Sequence, residues 1–96
     1  MSQLDHRYQK DPQIVSREIA GESILVPIRP NADDLDSIYT LNETGAFIWA
    51  LIDGQHTLED IVNEIIAEFE IDREQAQQDL LELIQDLESV RAVVKA

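Results

Sequence analysis

At Asn42 the spacing of apolar residues changes from two to between three and four, and this switch is the strongest constraint on the fold. A chain whose two halves keep different periods buries both only by laying helices over a sheet. Upstream, residues 13–20 hold Ile14, Val15 and Ile19, and residues 23–29 set Ile24, Val26 and Ile28 against Leu25, Pro27 and Arg29. Residues 35–41 place Leu35, Ser37, Tyr39 and Leu41 on one face and Asp36, Ile38 and Thr40 on the other. These read as three strands. Ala20-Gly21-Glu22 predicts a tight hairpin, with Gly21 supplying the positive φ that such turns need. Pro30-Asn31-Ala32-Asp33-Asp34 has the composition of a loop. Pro27 cannot donate to a ladder, so either the second strand bulges there or its pairing has ended, and both readings stand. Residues 1–12 are polar, mixed in charge and without period, and read as a mobile arm ahead of a domain at 13–96.

Downstream of the switch three helices are expected. Asn42 is a good N-cap with Glu43 in the first turn. Ala46-Phe47-Ile48-Trp49-Ala50-Leu51-Ile52 is apolar all round, which predicts a helix in the middle of the fold, closed by Gly54. Thr57 caps the second helix, with Asp60 in the capping-box position. Leu58, Ile61, Val62, Ile65, Ile66 and Phe69 make its buried face, and Glu59, Asn63, Glu64 and Glu68 its outer one. Asp72 opens the third helix with Gln75 as capping partner. Ala76, Leu80, Leu83, Ile84, Leu87 and Val90 point inward, and Leu81 lies at the edge of that stripe near Gln77, Ile84 and Glu88. Ala92-Val93-Val94-Lys95 reads as a short terminal strand. The expected fold is α+β: a three-stranded antiparallel sheet followed by three helices, the outline of a winged helix-turn-helix.

Charge narrows the partners. The 96 residues carry 7 Lys and Arg against 20 Asp and Glu, a formal net charge of −13. The imbalance is uneven: residues 1–42 hold 4 basic and 7 acidic groups, and residues 43–96 hold 3 and 13. Such a surface repels nucleic acid and anionic membranes, so neither is an expected partner. A hydrophobic fraction of 44% is that of a folded chain, and without cysteine there is no disulfide framework or thiolate metal site. The apolar run at 46–52 is far below the ~20 residues that span a bilayer. The start, Met1-Ser2-Gln3-Leu4-Asp5-His6-Arg7, has no apolar core of a signal peptide. A cytoplasmic protein is expected.

Nothing in the sequence assembles catalytic machinery. His6 and His56 are fifty residues apart, one in the arm and one in a turn. Asp33-Asp34-x-Asp36 lacks the spaced ligands, central Gly and distal Glu of a calcium loop. The glycines at 21, 45 and 54 form no phosphate loop, and the helical carboxylates fall on faces whose period exposes them. The expectation is a non-enzyme with no cofactor and no metal.

Recognition by a surface remains. If residues 35–41 end a meander, one edge of that strand is unpaired. Asp36 is its only charge and it contains no Pro, whereas edges are usually blunted by such residues. An open edge accepts a guest peptide as an added strand. The competing reading is that residues 92–95 or the N-terminal arm cover it.

The segment Tyr39-Thr40-Leu41-Asn42-Glu43-Thr44-Gly45-Ala46-Phe47-Ile48-Trp49, followed by Leu51-Ile52-Asp53-Gly54-Gln55-His56-Thr57-Leu58-Glu59-Asp60-Ile61-Val62, resembles the PqqD family, named for pyrroloquinoline quinone biosynthesis protein D. The Leu-Asn-x-Thr and Asp-Gly-x-x-Thr elements carry the likeness together, and it extends from about Tyr8 to Val94. The resemblance implies a recognition element for ribosomally made, modified peptides. Such a domain is a peptide chaperone that binds the leader of a precursor peptide and presents it to a maturation enzyme, often a radical S-adenosylmethionine protein. It also implies where the leader lies: as a strand along Leu35, Asp36, Ser37, Ile38, Tyr39, Thr40 and Leu41, in a cleft shared with Gln77, Leu81, Ile84 and Glu88 of the last helix. Asn42, Phe47, Trp49, Gly54 and Thr57, although part of the motif, read as structural.

Two other functions compete. A DNA-binding winged helix rests on topology and opposes the charge. A docking subunit of a larger enzyme would use its acidic helices against a basic patch, and the face of Glu59, Glu64 and Glu68 is expected to steer that association.

Overall fold

Each helix opens on a side-chain cap. In the computed structural model, which describes residues 3–27 and 39–96, Asn42 accepts a 2.7 Å bond from the Gly45 amide and opens α1 (Glu43–Leu51). Thr57 opens α2 (Leu58–Phe69) with a full capping box: its hydroxyl accepts from Asp60 N at 3.1 Å, and the Asp60 carboxylate accepts from Thr57 N at 3.0 Å. Those bonds hold the Asp60 carboxyl below its usual range, the backbone bond of Thr57 contributing most. Asp72 accepts from Gln75 N at 2.8 Å and opens α3 (Arg73–Ser89). The Gln75 side chain reaches forward to Asp79 at 2.7 Å, not back to the cap. Each cap satisfies a donor left over by the helix and stabilises it by about 1 kcal/mol.

The expected meander forms. Strands β2 (Ile14–Ile19), β3 (Glu22–Pro27) and β4 (Tyr39–Leu41) make an antiparallel sheet in the order β2-β3-β4. The β2–β3 ladder runs in unbroken register from Ile19↔Glu22 to Ile14↔Pro27, so Pro27 sits in the last pair without a bulge. Ala20 and Gly21, at φ 53° and 82°, make the two-residue turn that follows the right-handed twist of the strands. Residues 30–34 and 35–38, read as a loop and as the start of the third strand, lie outside the described residues.

A second sheet is a finding that the sequence reading lacked. Strand β1 (Arg7–Lys10) lies between β5 (Asp53–Thr57) and β6 (Val93–Lys95), antiparallel to both. The mobile arm expected at 1–12 is therefore corrected from Gln3 onward. A 3-10 turn at Gln3–Asp5 leads into β1, Leu4 and Tyr8 are buried in the core, and the Lys10 ammonium lies 5.3 Å from the centre of the Trp49 ring. Gly54 is also reassigned. The helix ends at Leu51 with Ile52 as C-cap, and Gly54, at φ 79°, serves an irregularity of the β1–β5 ladder between Arg7↔Thr57 and Gln9↔Asp53. Asp53 organises that protrusion by accepting from the amides of Gln55 (2.9 Å) and His56 (3.1 Å) and by pairing with His56 Nδ1 at 3.0 Å. The imidazole bond first, then the two amides, hold its carboxyl far below the carboxylate norm.

One core joins both sheets to the helices. Leu58, Ile61, Val62 and Ile65 of α2 and Ala76, Leu80, Ile84 and Leu87 of α3 are buried, each large aliphatic side chain contributing roughly 1.5–3 kcal/mol. Ile48, Trp49 and Ile52 are buried at α1, while Ala50 is exposed, so this helix lies against the core and is not enclosed by it. Phe47 and Phe69 meet edge to face at 5.3 Å and fasten α1 to α2. Arg73 hydrogen-bonds Asn63 at 2.9 Å and pairs with Glu59, tying α3 to α2. Glu59 is thus engaged, and the acidic face expected on α2 reduces to Glu64 and Glu68.

The chain leaves α3 through a Schellman turn. Ala92 N bonds Leu87 O at 2.8 Å, Arg91 N bonds Glu88 O at 3.0 Å, and Arg91 takes φ 59°. A side chain in that region costs roughly 1 kcal/mol that glycine does not incur. Arg91→Gly is expected to raise the melting temperature by about 4 °C or more, read by circular dichroism; an unchanged or lowered value would show that the Arg91 side chain contributes more than its backbone costs.

Candidate functional site

Among the described residues β4 pairs only with β3, and neither β1 nor β6 approaches its outer edge as a strand. The two segments proposed to cover the edge pair with each other: Tyr8↔Lys95, Gln9↔Val94 and Lys10↔Val93. Further backbone bonds run from Asp11 N to Ala92 O (2.9 Å) and from Ala96 N to Arg7 O (3.0 Å).

Beside this edge lies a groove of about 300 Å³. Tyr39, Thr40 and Leu41 form its strand side, Asn42, Thr44, Gly45 and Ile48 its end at α1, and Asp79, Glu82, Leu83 and Asp86 its α3 wall. Leu41 and Ile48 are buried beneath it, and Tyr39 and Leu83 are half-buried, so apolar surface is available between polar rims. Gly45 keeps the α1 end open and intact. A Cβ there would come within 3.1 Å of Asn42 Oδ1, the acceptor that caps the helix, and 3.3 Å of Leu41 Cδ2.

The structure brings only some of the expected site residues together. Tyr39, Thr40 and Leu41 line the groove; residues 35–38 lie outside the described residues. Ile84 is 1% exposed and belongs to the core. Gln77, Leu81 and Glu88 line a second hollow farther round α3, which meets the first at Glu82. The α3 residues that face β4 are Asp79, Glu82, Leu83 and Asp86, at helical spacings of three, one and three, and the sequence reading missed their position. Their signal was present: Leu83 borders the buried stripe on the side opposite Leu81, and the three acids surround it.

A hydrogen bond spans the groove. Tyr39 Oη donates to Asp86 Oδ2 at 3.2 Å, linking β4 to α3. Burial first, then the Asp86 charge and this bond, raise the Tyr39 phenol above its usual value, because each disfavours the phenolate. Burial and the Glu88 charge do the same to Tyr8. A raised phenol pKa means that the folded state holds its proton longer, so the associated stability is present below about pH 10 and is lost as the pH rises past it. In an alkaline titration followed by phenolate absorbance, both tyrosines are expected to ionise above the free-tyrosine value. Asp86→Asn should move the Tyr39 transition down and leave that of Tyr8 in place. A Tyr39 transition unaffected by the substitution would remove the link across the groove.

Comparison with known proteins places the chain. Residues 31–93 match the family model described as coenzyme PQQ synthesis protein D (PqqD). Among solved structures, the fold is similar to TbiB1 in complex with the TbiA(beta) leader peptide, with a TM-score of 0.72 and 25% identity over 88% of this chain and 93% of that one. It is also similar in fold to lasso peptide synthetase B1 complexed with the leader peptide, with a TM-score of 0.75 and 20% identity over 92% and 98% of the two chains. No curated protein sequence matches the chain. With the Leu-Asn-x-Thr and Asp-Gly-x-x-Thr elements inside the matched span and the fold in agreement, the chain belongs to the PqqD family.

Proposed function

We propose that this protein is a peptide chaperone that takes the leader segment of a ribosomally made precursor as an added strand on β4 and presents it to a modifying enzyme. The observation that carries the reading is the edge of β4, unpaired among the described residues and beside a groove, with the chain's own terminal segments paired elsewhere. Backbone groups along such an edge supply affinity to any extended chain, and the groove behind it selects side chains. Two relatives in fold, TbiB1 and lasso peptide synthetase B1, were solved with leader peptides, which supports the same use here.

The proposed contact residues are Tyr39, Thr40 and Leu41, continuing towards residues 35–38, with Asp79, Glu82, Leu83 and Asp86 opposite. Gln77, Leu81 and Glu88, reached past Glu82, extend the path for a longer guest. In this reading the protein performs no chemistry, and the maturation enzyme, of the radical S-adenosylmethionine class or another, acts on the presented peptide. DNA binding is disfavoured by the 13 acidic groups in residues 43–96, the half that carries α1, α2 and α3.

The test is titration of isotope-labelled protein with synthetic peptides covering the leaders of candidate short precursors. Amide signals of residues 39–41 and 79–86 are expected to shift. Leu83→Ala, which removes about 1 kcal/mol of apolar contact, should weaken binding roughly fivefold. Shifts confined to the β5-β1-β6 sheet would move the site away from β4.

A further inference from the structure

We infer that the groove selects guest strands bearing Lys or Arg on the face turned towards α3, a specificity that rests on the proposed use of β4 for leader binding. Three of the four α3 residues in the groove wall are acidic (Asp79, Glu82 and Asp86), and none of the described residues lining it is basic. Among the described residues, Asp79 and Asp86 receive only neutral donors, the Gln75 amide at 2.7 Å and the Tyr39 hydroxyl at 3.2 Å. Arg73, the basic residue of α3, is turned to Glu59 and Asn63 of α2. The wall therefore keeps its negative charge, and a guest strand brings the countercharge.

The spacing fits a strand. From Asp79 to Asp86 an α-helix rises about 10.5 Å, with Leu83 between them. Residues i to i+4 of an extended guest span about 13 Å on one face, and the long stem of lysine covers the difference. The pattern that satisfies the wall is basic, apolar, basic at alternate positions: Lys-x-Leu-x-Lys. An acidic guest would meet like charge along the wall, so the groove discriminates by repulsion as well as by attraction.

The test uses three decapeptides that share a central Lys-Thr-Leu-Thr-Lys frame, with the two lysines kept, replaced by glutamine, or replaced by glutamate. They are titrated into the full chain at low ionic strength, with affinity read by calorimetry and location by the amide signals of Tyr39, Thr40 and Leu41. Binding is expected in the order lysine, glutamine, glutamate. The double variant Asp79→Asn, Glu82→Gln should reduce the lysine-over-glutamine preference by roughly three- to tenfold, as exposed charge pairs allow. The control Glu64→Gln, Glu68→Gln makes the same change of net charge on α2 and should leave the preference unchanged. If the control lowers it equally, overall charge and not the groove is responsible, and the inference is overturned. If all three peptides bind alike and shift the β4 amides, charge selection fails while leader binding on β4 stands. If none shifts those amides at any concentration, both readings fall together.

Discussion

The strand Arg7–Lys10 is the member on which the rest of the architecture depends. It is the middle strand of its sheet, hydrogen-bonded on one side to Asp53–Thr57 and on the other to Val93–Lys95, and it carries Tyr8, 3% exposed, into the core. A three-residue terminal strand beside an open edge is the usual material for covering that edge. Here β1 satisfies it instead, and the Schellman turn at Arg91 aims Ala92 and Val93 towards β1 as α3 ends. The two sheets thus divide the labour: one joins the terminal segments to the helices, and the other is left with β4 unpaired on its outer side among the described residues.

Much of the helical half was legible because its signals are local. Asn42, Thr57 and Asp72 each place an acceptor three residues before the amide they satisfy, and the apolar spacing of α2 and α3 identifies the buried residues Leu58, Ile61, Ile65, Leu80 and Leu87. The β2–β3 hairpin was legible for the same reason, since the turn chemistry at Gly21 fixes the register of the strands beside it. Strand β1 was not. Arg7-Tyr8-Gln9-Lys10 has one apolar residue in four, and its partners lie some forty-five and eighty-five residues away, so no window of sequence contains the pairing. Gly54 shows a subtler failure: a residue needing positive φ was expected there, but its φ serves a ladder irregularity two residues beyond the helix C-cap.

The candidate site was half legible. The edge was read from alternation over 35–41, where Asp36 is the only charge and there is no Pro, and the described part of it is β4 at 39–41. The α3 wall did not follow, because a buried stripe on a helix has two borders and periodicity treats them alike. Leu81 with Gln77 and Glu88 marks one border, and Leu83 with Asp79 and Asp86 marks the other. Only the crossing of α3 over β4 decides between them, and the Tyr39–Asp86 hydrogen bond records that decision.

An open strand edge invites a second copy of the same chain as readily as a guest, and the charge distribution answers this hazard. Two copies joined edge to edge through β4 would each bring the wall of Asp79, Glu82 and Asp86 to the junction, on chains that each carry a formal net charge of −13. Like charges held at a partly desolvated interface oppose that pairing, and self-repulsion at longer range slows the encounter. Edges are commonly protected by placing charge on the strand itself. At 39–41 the strand is Tyr-Thr-Leu and stays neutral, with its outer backbone groups unpaired among the described residues, while the acidic charge is carried by the neighbouring helix. Protection placed there would act by sign: it would oppose the chain's own copies and other acidic partners, and would admit a strand of opposite charge to the same backbone groups.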